Sequence, residues 1–94
     1  MKTLHLILKA QWYNMIEQGI KKEEYREDKD YWKKRLCRYD YDSVCFHYGY
    51  TSRTMTFEVE NIRFGTGNPE WGAKQGKNYF VIKLGERRTI TKSS

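Results

Sequence analysis

Val44, Phe46, Tyr48 and Tyr50 alternate with Cys45, His47 and Gly49, and beyond a short turn Met55, Phe57 and Val59 alternate with Thr56, Glu58 and Glu60. A period of two sends successive side chains to opposite faces, so both stretches read as half-buried strands, with Thr51 to Thr54 as the turn between them. The apolar phase then slips to Ile62 and Phe64. A bulge or bend near Glu60 and Asn61 accounts for the slip, and such bends are common where a sheet curls into a barrel. Phe80, Ile82 and Leu84 supply a last strand.

The remaining segments fit around this sheet. Leu4 to Leu8 reads as a buried first strand. From Lys9 to Gln18, Trp12, Met15 and Ile16 share one face of a helix, and Gly19 is its natural stop because glycine adopts the left-handed conformation without a Cβ clash. A short strand is expected from about Glu23 to Glu27, supported by Tyr25. Asp28 or Asp30 then caps a second helix through Cys37, with Trp32 and Leu36 inward and Lys33, Lys34 and Arg35 toward solvent. At 94 residues the chain has room for one core only, which predicts a single domain over residues 1–86 and a frayed tail from Arg87 to Ser94. The class is α+β, mainly β. Three Trp, eight Tyr and four Phe make the core one that leans on aromatics.

Charge and cysteine content narrow the partners. A net charge of +6, spread along most of the chain, suits a polyanion. Cys37 and Cys45 match neither a C-x-x-C redox pair nor a zinc half-site, so they read as reduced core thiols, with no metal or cofactor expected. The first apolar stretch is too short for a secretory signal and nothing reaches membrane-spanning length, so the expectation is a cytoplasmic protein with no membrane partner. His5 and His47 lie in different strands, with no carboxylate spaced to orient either, and read as structural.

A long loop, Gly65 to Lys77, separates the last two strands. It is not a phosphate loop, because one residue is missing between its glycines and Asn78 follows Lys77. Its Trp71 either stacks on a base or plugs the end of the barrel.

The segment Gly19-Ile20-Lys21-Lys22-Glu23-Glu24-Tyr25-Arg26 looks at first like a solvated strand edge. Its spacing argues otherwise, since strand alternation puts Glu24 and Arg26 on one face while Lys21 sits at the helix-to-strand turn. This arrangement resembles the G-x-K-x-x-E-x-R motif of ASCH domains, small members of the PUA-like superfamily, and all four motif residues match. The likeness extends to the leading strand, the Trp12 helix and the closing stretch from Gly65 to Gly85, which carries Asn68-Pro69-Glu70-Trp71-Gly72.

The resemblance implies a curled, mostly antiparallel β-barrel with two to three helices packed at its ends and a cleft where the motif residues meet. It also implies binding of single-stranded RNA or a modified nucleoside there. Lys21 offers a point charge for a phosphate and Arg26 a planar fork. Glu24 either pairs with Arg26 or accepts from the amino edge of a base. Lys33, Lys34 and Arg35 are expected to steer the RNA backbone, and Trp71 to stack.

Two alternatives stay open. One is catalysis in the same cleft, as RNA cleavage or hydrolysis of an acetylcytidine-type amide, with Lys21 and Glu24 as the acting residues and Glu70 as a second acid. The related amidohydrolase branch carries a threonine where this chain has Glu24, which weakens that reading. The other is a protein interaction module presenting Tyr39, Tyr41, Tyr48 and Tyr50.

Overall fold

The computed structural model describes residues 2–88. Eight elements follow one another: β1 (Thr3–Leu8), α1 (Ala10–Glu17), β2 (Glu23–Glu27), α2 (Asp30–Cys37), β3 (Ser43–Tyr48), β4 (Thr54–Thr66), a single 3-10 turn (Pro69–Trp71) and β5 (Asn78–Arg88). The strands form one sheet in the order β1-β3-β4-β5-β2, curled into a half-barrel and accompanied by the two helices. The molecule is α+β and mainly strand.

The sheet is mixed. β2–β5, β3–β4 and β4–β5 are antiparallel, whereas β1 and β3 run parallel. The parallel pair follows from connectivity: α1, β2 and α2 lie between the two strands, and parallel neighbours need a long crossover of that kind. The bend expected near Glu60 and Asn61 is present as register shifts in the β4–β5 ladder between Phe57 and Val59 and between Val59 and Asn61. It lies within a 13-residue strand that pairs with β3 over Thr54–Glu58 and with β5 from Thr56 to Thr66.

The main core joins Leu4, Leu6 and Leu8 of β1 to Val44 and Phe46 of β3, Met55 and Phe57 of β4, and Phe80, Ile82 and Leu84 of β5. Tyr13 and Ile16 of α1 and Leu36 of α2 close it. Fully burying aliphatic and aromatic side chains of this kind contributes roughly 1.5–3 kcal/mol each before conformational entropy is subtracted. A smaller cluster of Tyr25, Ala73, Tyr79 and Val81, with Trp71 against it, packs on the opposite face of β2 and β5.

Several local expectations are corrected. Tyr13, at 0% exposure, is the centre of the buried face of α1, and Trp12 and Met15 are only half-buried at its flanks. Trp12 is instead turned toward Lys21. Neither Asp28 nor Asp30 caps α2; Lys29 occupies that position without a side-chain bond, and Asp30 lies in the first turn, where its charge suits the helix dipole. β1 is half-buried and leaves Ile7 exposed. β3 ends at Tyr48, because Gly49 turns the chain at φ +55°, and Tyr50 is 94% exposed. Cys37 is exposed and Cys45 half-buried, since alternation in β3 gives the core to Val44 and Phe46. β5 continues through Arg87 and Arg88, which pair with Phe57 and Thr56; the rest of the expected tail, 89–94, lies outside the described residues. Among the described residues no helix is long and apolar enough to cross a membrane.

Candidate functional site at the open edge of the sheet

The end of α1 sets the site. Gly19 takes φ +79°, and the Met15 carbonyl accepts from both Ile20 N–H (2.9 Å) and Lys21 N–H (3.1 Å). This left-handed cap satisfies carbonyls that the last helical turn would leave bare. It also fixes the backbone of Lys21 just before β2.

β2 pairs with β5 so that Glu24 stands opposite Ile82 and Arg26 opposite Phe80. Directly opposed residues share a face, so Glu24 and Arg26 lie on the side that β5 gives to the main core. Where the other strands direct apolar side chains inward, this edge strand directs a carboxylate and a guanidinium.

Lys21, Glu24 and Arg26 do converge. The Lys21 ammonium lies 3.2 Å from Glu24 Oε1, and Arg26 Nη1 donates to Glu24 Oε2 at 2.6 Å. Arg26 Nη1 also donates to the Tyr25 carbonyl (3.0 Å), and Nη2 reaches the Ile7 carbonyl on β1 (3.4 Å). Arg26 thereby spans the seam between the two edge strands of the sheet, and its guanidinium carbon lies 5.2 Å from the Trp32 ring centre.

Lys21 is only 2% exposed. Its ammonium donates to the Trp71 carbonyl and stands 4.7 Å from the Tyr25 ring centre and 5.0 Å from that of Trp12. Burial pushes its pKa below the ordinary lysine value, while the Glu24 carboxylate works in the opposite direction. One carboxylate, one carbonyl and two aromatic faces thus enclose the cation.

Two recesses meet at the pair formed by Glu24 and Arg26. The larger, about 670 Å³, runs between β1 and β2 and is flanked by Lys9, Trp12, Lys29, Tyr31, Trp32 and Arg35. The smaller, about 370 Å³, adds Trp71, Lys74 and Lys77. Trp12, Glu24, Tyr25, Arg26 and Glu27 belong to both. Indole faces and cations therefore lie on either side of the buried Glu24 carboxylate, with the exposed Glu27 beside it.

The Trp71 loop is held from below by two phenols. Asn68 N–H donates to the Tyr25 hydroxyl and Lys74 N–H to the Tyr79 hydroxyl, both at 2.9 Å. The Tyr25 hydroxyl in turn donates to Glu23 Oε1 (2.8 Å). Trp71 is half-buried against the smaller cluster and still borders the second recess.

The other expected residues divide. Lys21 borders neither recess; it stands behind Trp12, Tyr25 and the Trp71 backbone. Lys33 and Lys34 are exposed outside the larger recess. Arg35 is in its wall, where it donates to the Tyr31 hydroxyl (2.9 Å) and the His5 carbonyl (3.0 Å). Glu70 is exposed and borders neither recess. Of the four tyrosines of the interaction reading, Tyr39 packs edge-on to Tyr41, Tyr48 packs against Tyr13 of α1, and Tyr50 is exposed.

Trp12, Tyr31 and Trp32 were not named as site residues from sequence, because each also reads as a helix-face aromatic. Arg26 at the seam is what gives them a shared cleft. His5 and His47, read as structural, are adjacent: His5 Nδ1 and His47 Nε2 are 3.1 Å apart. No family model, no curated protein and no solved structure matches the chain.

Proposed function

We propose that this chain is a PUA-like domain of the ASCH type that binds single-stranded RNA or a modified nucleoside along the groove formed by the two recesses. The observation that carries the reading is the Glu24 carboxylate, 4% exposed, directed by an edge strand to the junction of two recesses walled by indoles and cations. A carboxylate accepts from an exocyclic amino group, as at N4 of cytosine. Each Glu24 oxygen has one cationic partner, and a carboxylate oxygen has lone pairs to spare for such a donor.

Arg26 offers its fork to a phosphate; Trp32 lines the larger recess and Trp71 the smaller, each an indole on which a base can stack. Lys9, Lys29 and Arg35 in the larger recess, and Lys74 and Lys77 in the smaller, supply backbone charge. Lys21 contributes by holding Glu24 and the Trp71 loop in register and has no direct contact with ligand.

Fluorescence anisotropy of a labelled single-stranded RNA tests the reading. Affinity is expected to fall as salt rises, and to fall further with Arg26→Ala or Trp32→Ala in folded protein. Absent or salt-insensitive binding contradicts it.

A hydrolytic reading would act through Glu24, the buried carboxylate at the junction of the recesses, with the Lys21 ammonium 3.2 Å behind it. Product formation from single-stranded RNA or acetylcytidine tests this directly. Equal turnover by wild-type and Lys21→Ala removes Lys21 from the chemistry.

A further inference from the structure

The outer face of the β1–β3 pair carries a cluster that takes no part in the groove chemistry. Parallel register sets His5 beside Cys45 and Ile7 beside His47, so that His5, Cys45 and His47 project from the same side of the sheet. One donor atom from each, an imidazole nitrogen or the thiol sulfur, lies within 4.8 Å of the other two. The imidazoles are tilted by 47° with facing nitrogens 3.1 Å apart. In a tetrahedral zinc site, bond lengths of about 2.0–2.1 Å to nitrogen and about 2.3 Å to sulfur separate two nitrogens by about 3.4 Å and nitrogen from sulfur by about 3.6 Å. Side-chain rotations that part the two nitrogens by about 0.3 Å and draw the sulfur in by up to about 1.2 Å bring the cluster to that spacing.

We propose that His5, Cys45 and His47 form a binding site for a zinc-class divalent cation. Two imidazoles and a thiolate are the donor set that such borderline ions prefer over magnesium or calcium. Arg35 donates to the His5 carbonyl and so fixes the strand edge from which that imidazole projects. The described residues supply three donors, and three-donor sites keep a fourth position for water or an incoming ligand. His5 also belongs to the wall of the larger recess, which places the cation at the rim of the groove. The site is independent of the nucleic-acid reading, because neither Glu24 nor Arg26 takes part in it.

Cobalt(II) is the probe, used on the full chain carrying Cys37→Ser so that the exposed thiol does not compete. One equivalent is expected to give a sulfur-to-cobalt charge-transfer band with tetrahedral visible absorption, both displaced by zinc. Loss of even an outer-shell partner of a metal ligand weakens binding by roughly 10–100-fold, so His47→Ala is expected to weaken it by roughly tenfold or more. Cys45→Ser is expected to abolish the charge-transfer band. In a second measurement, zinc is expected to slow alkylation of the Cys45 thiol in the Cys37→Ser protein, and His5→Gln to remove that protection. Absence of the band, its survival in Cys45→Ser, or alkylation unaffected by zinc overturns the proposal.

Discussion

Lys21 donates its ammonium to the backbone carbonyl of Trp71, fifty residues further along the chain. The contact joins the end of α1 to the loop between β4 and β5. It makes the motif lysine a buried strut behind the groove, and it leaves Glu24 and Arg26 as the motif's charged groups that face the groove.

Lys21→Met keeps most of the stem and removes the cation. Among the described residues Glu24 is left with Arg26 as its cationic partner, and the Trp71 carbonyl loses the Lys21 donor. We expect a loss of roughly 2–4 kcal/mol, since disrupting a buried charge pair leaves its partner uncompensated. Urea unfolding measures it, and an unchanged midpoint contradicts the strut.

Two glycines make a graded test of the site's frame. At Gly19 (φ +79°) an added Cβ meets nothing within 4 Å, so Gly19→Ala is expected to cost only the conformational penalty, about 1 kcal/mol. At Gly72 (φ +101°) the same atom falls 2.9 Å from Trp12 Cζ2. Gly72→Ala is therefore expected to cost more, roughly 2–3 kcal/mol, and to disturb the Trp71 carbonyl that Lys21 holds. Equal melting temperatures for the two variants would show that the loop is not packed on Trp12.

Tyr25 contributes to the alkaline limb of stability. Burial holds its phenol above the ordinary value of 10.0, and Glu23 adds to the rise. The folded state keeps a proton that the unfolded chain releases as pH passes about 10, so this contribution is present below that pH and is lost above it. Tyr13 shifts in the same sense. The lowered pKa of Lys21 has the opposite sign and favours folding as pH climbs toward the ordinary lysine value. Tyr25→Phe is expected to cost about 1 kcal/mol near neutrality through lost hydrogen bonds and to make the alkaline decline shallower. Urea midpoints between about pH 8 and 11 report both effects.

Much of the site was legible because local rules agree there. Gly19 ends a helix, and alternation in a five-residue strand puts Glu24 beside Arg26. What escaped depends on partners distant in sequence. The Trp71 contact uses a backbone carbonyl, which no side-chain pattern encodes. The meeting of His5, Cys45 and His47 requires a parallel register between strands forty residues apart, and spacing along the chain carries no trace of that. Tyr13 escapes the sequence pattern because α1 has four large aromatic or apolar residues, Trp12, Tyr13, Met15 and Ile16, on neighbouring faces, and packing against Tyr48 chooses among them.

Glu24→Gln tests base recognition. It preserves volume but replaces one acceptor oxygen with a donor, so affinity for cytosine-containing single strands is expected to drop about tenfold, in line with roughly 1–3 kcal/mol for a good base contact. Strands lacking exocyclic amino groups are expected to lose less. An equal loss for all sequences would assign Glu24 to positioning Arg26 alone.

The most direct measurement is an NMR titration of ¹⁵N-labelled protein with a short single-stranded RNA. The account predicts the largest shifts at the indole N–H groups of Trp32 and Trp71 and at the amides of Glu24 to Glu27. Shifts confined to a separate recess lined by Tyr39, Asn61 and Phe64, or no shifts at saturating RNA, would contradict it.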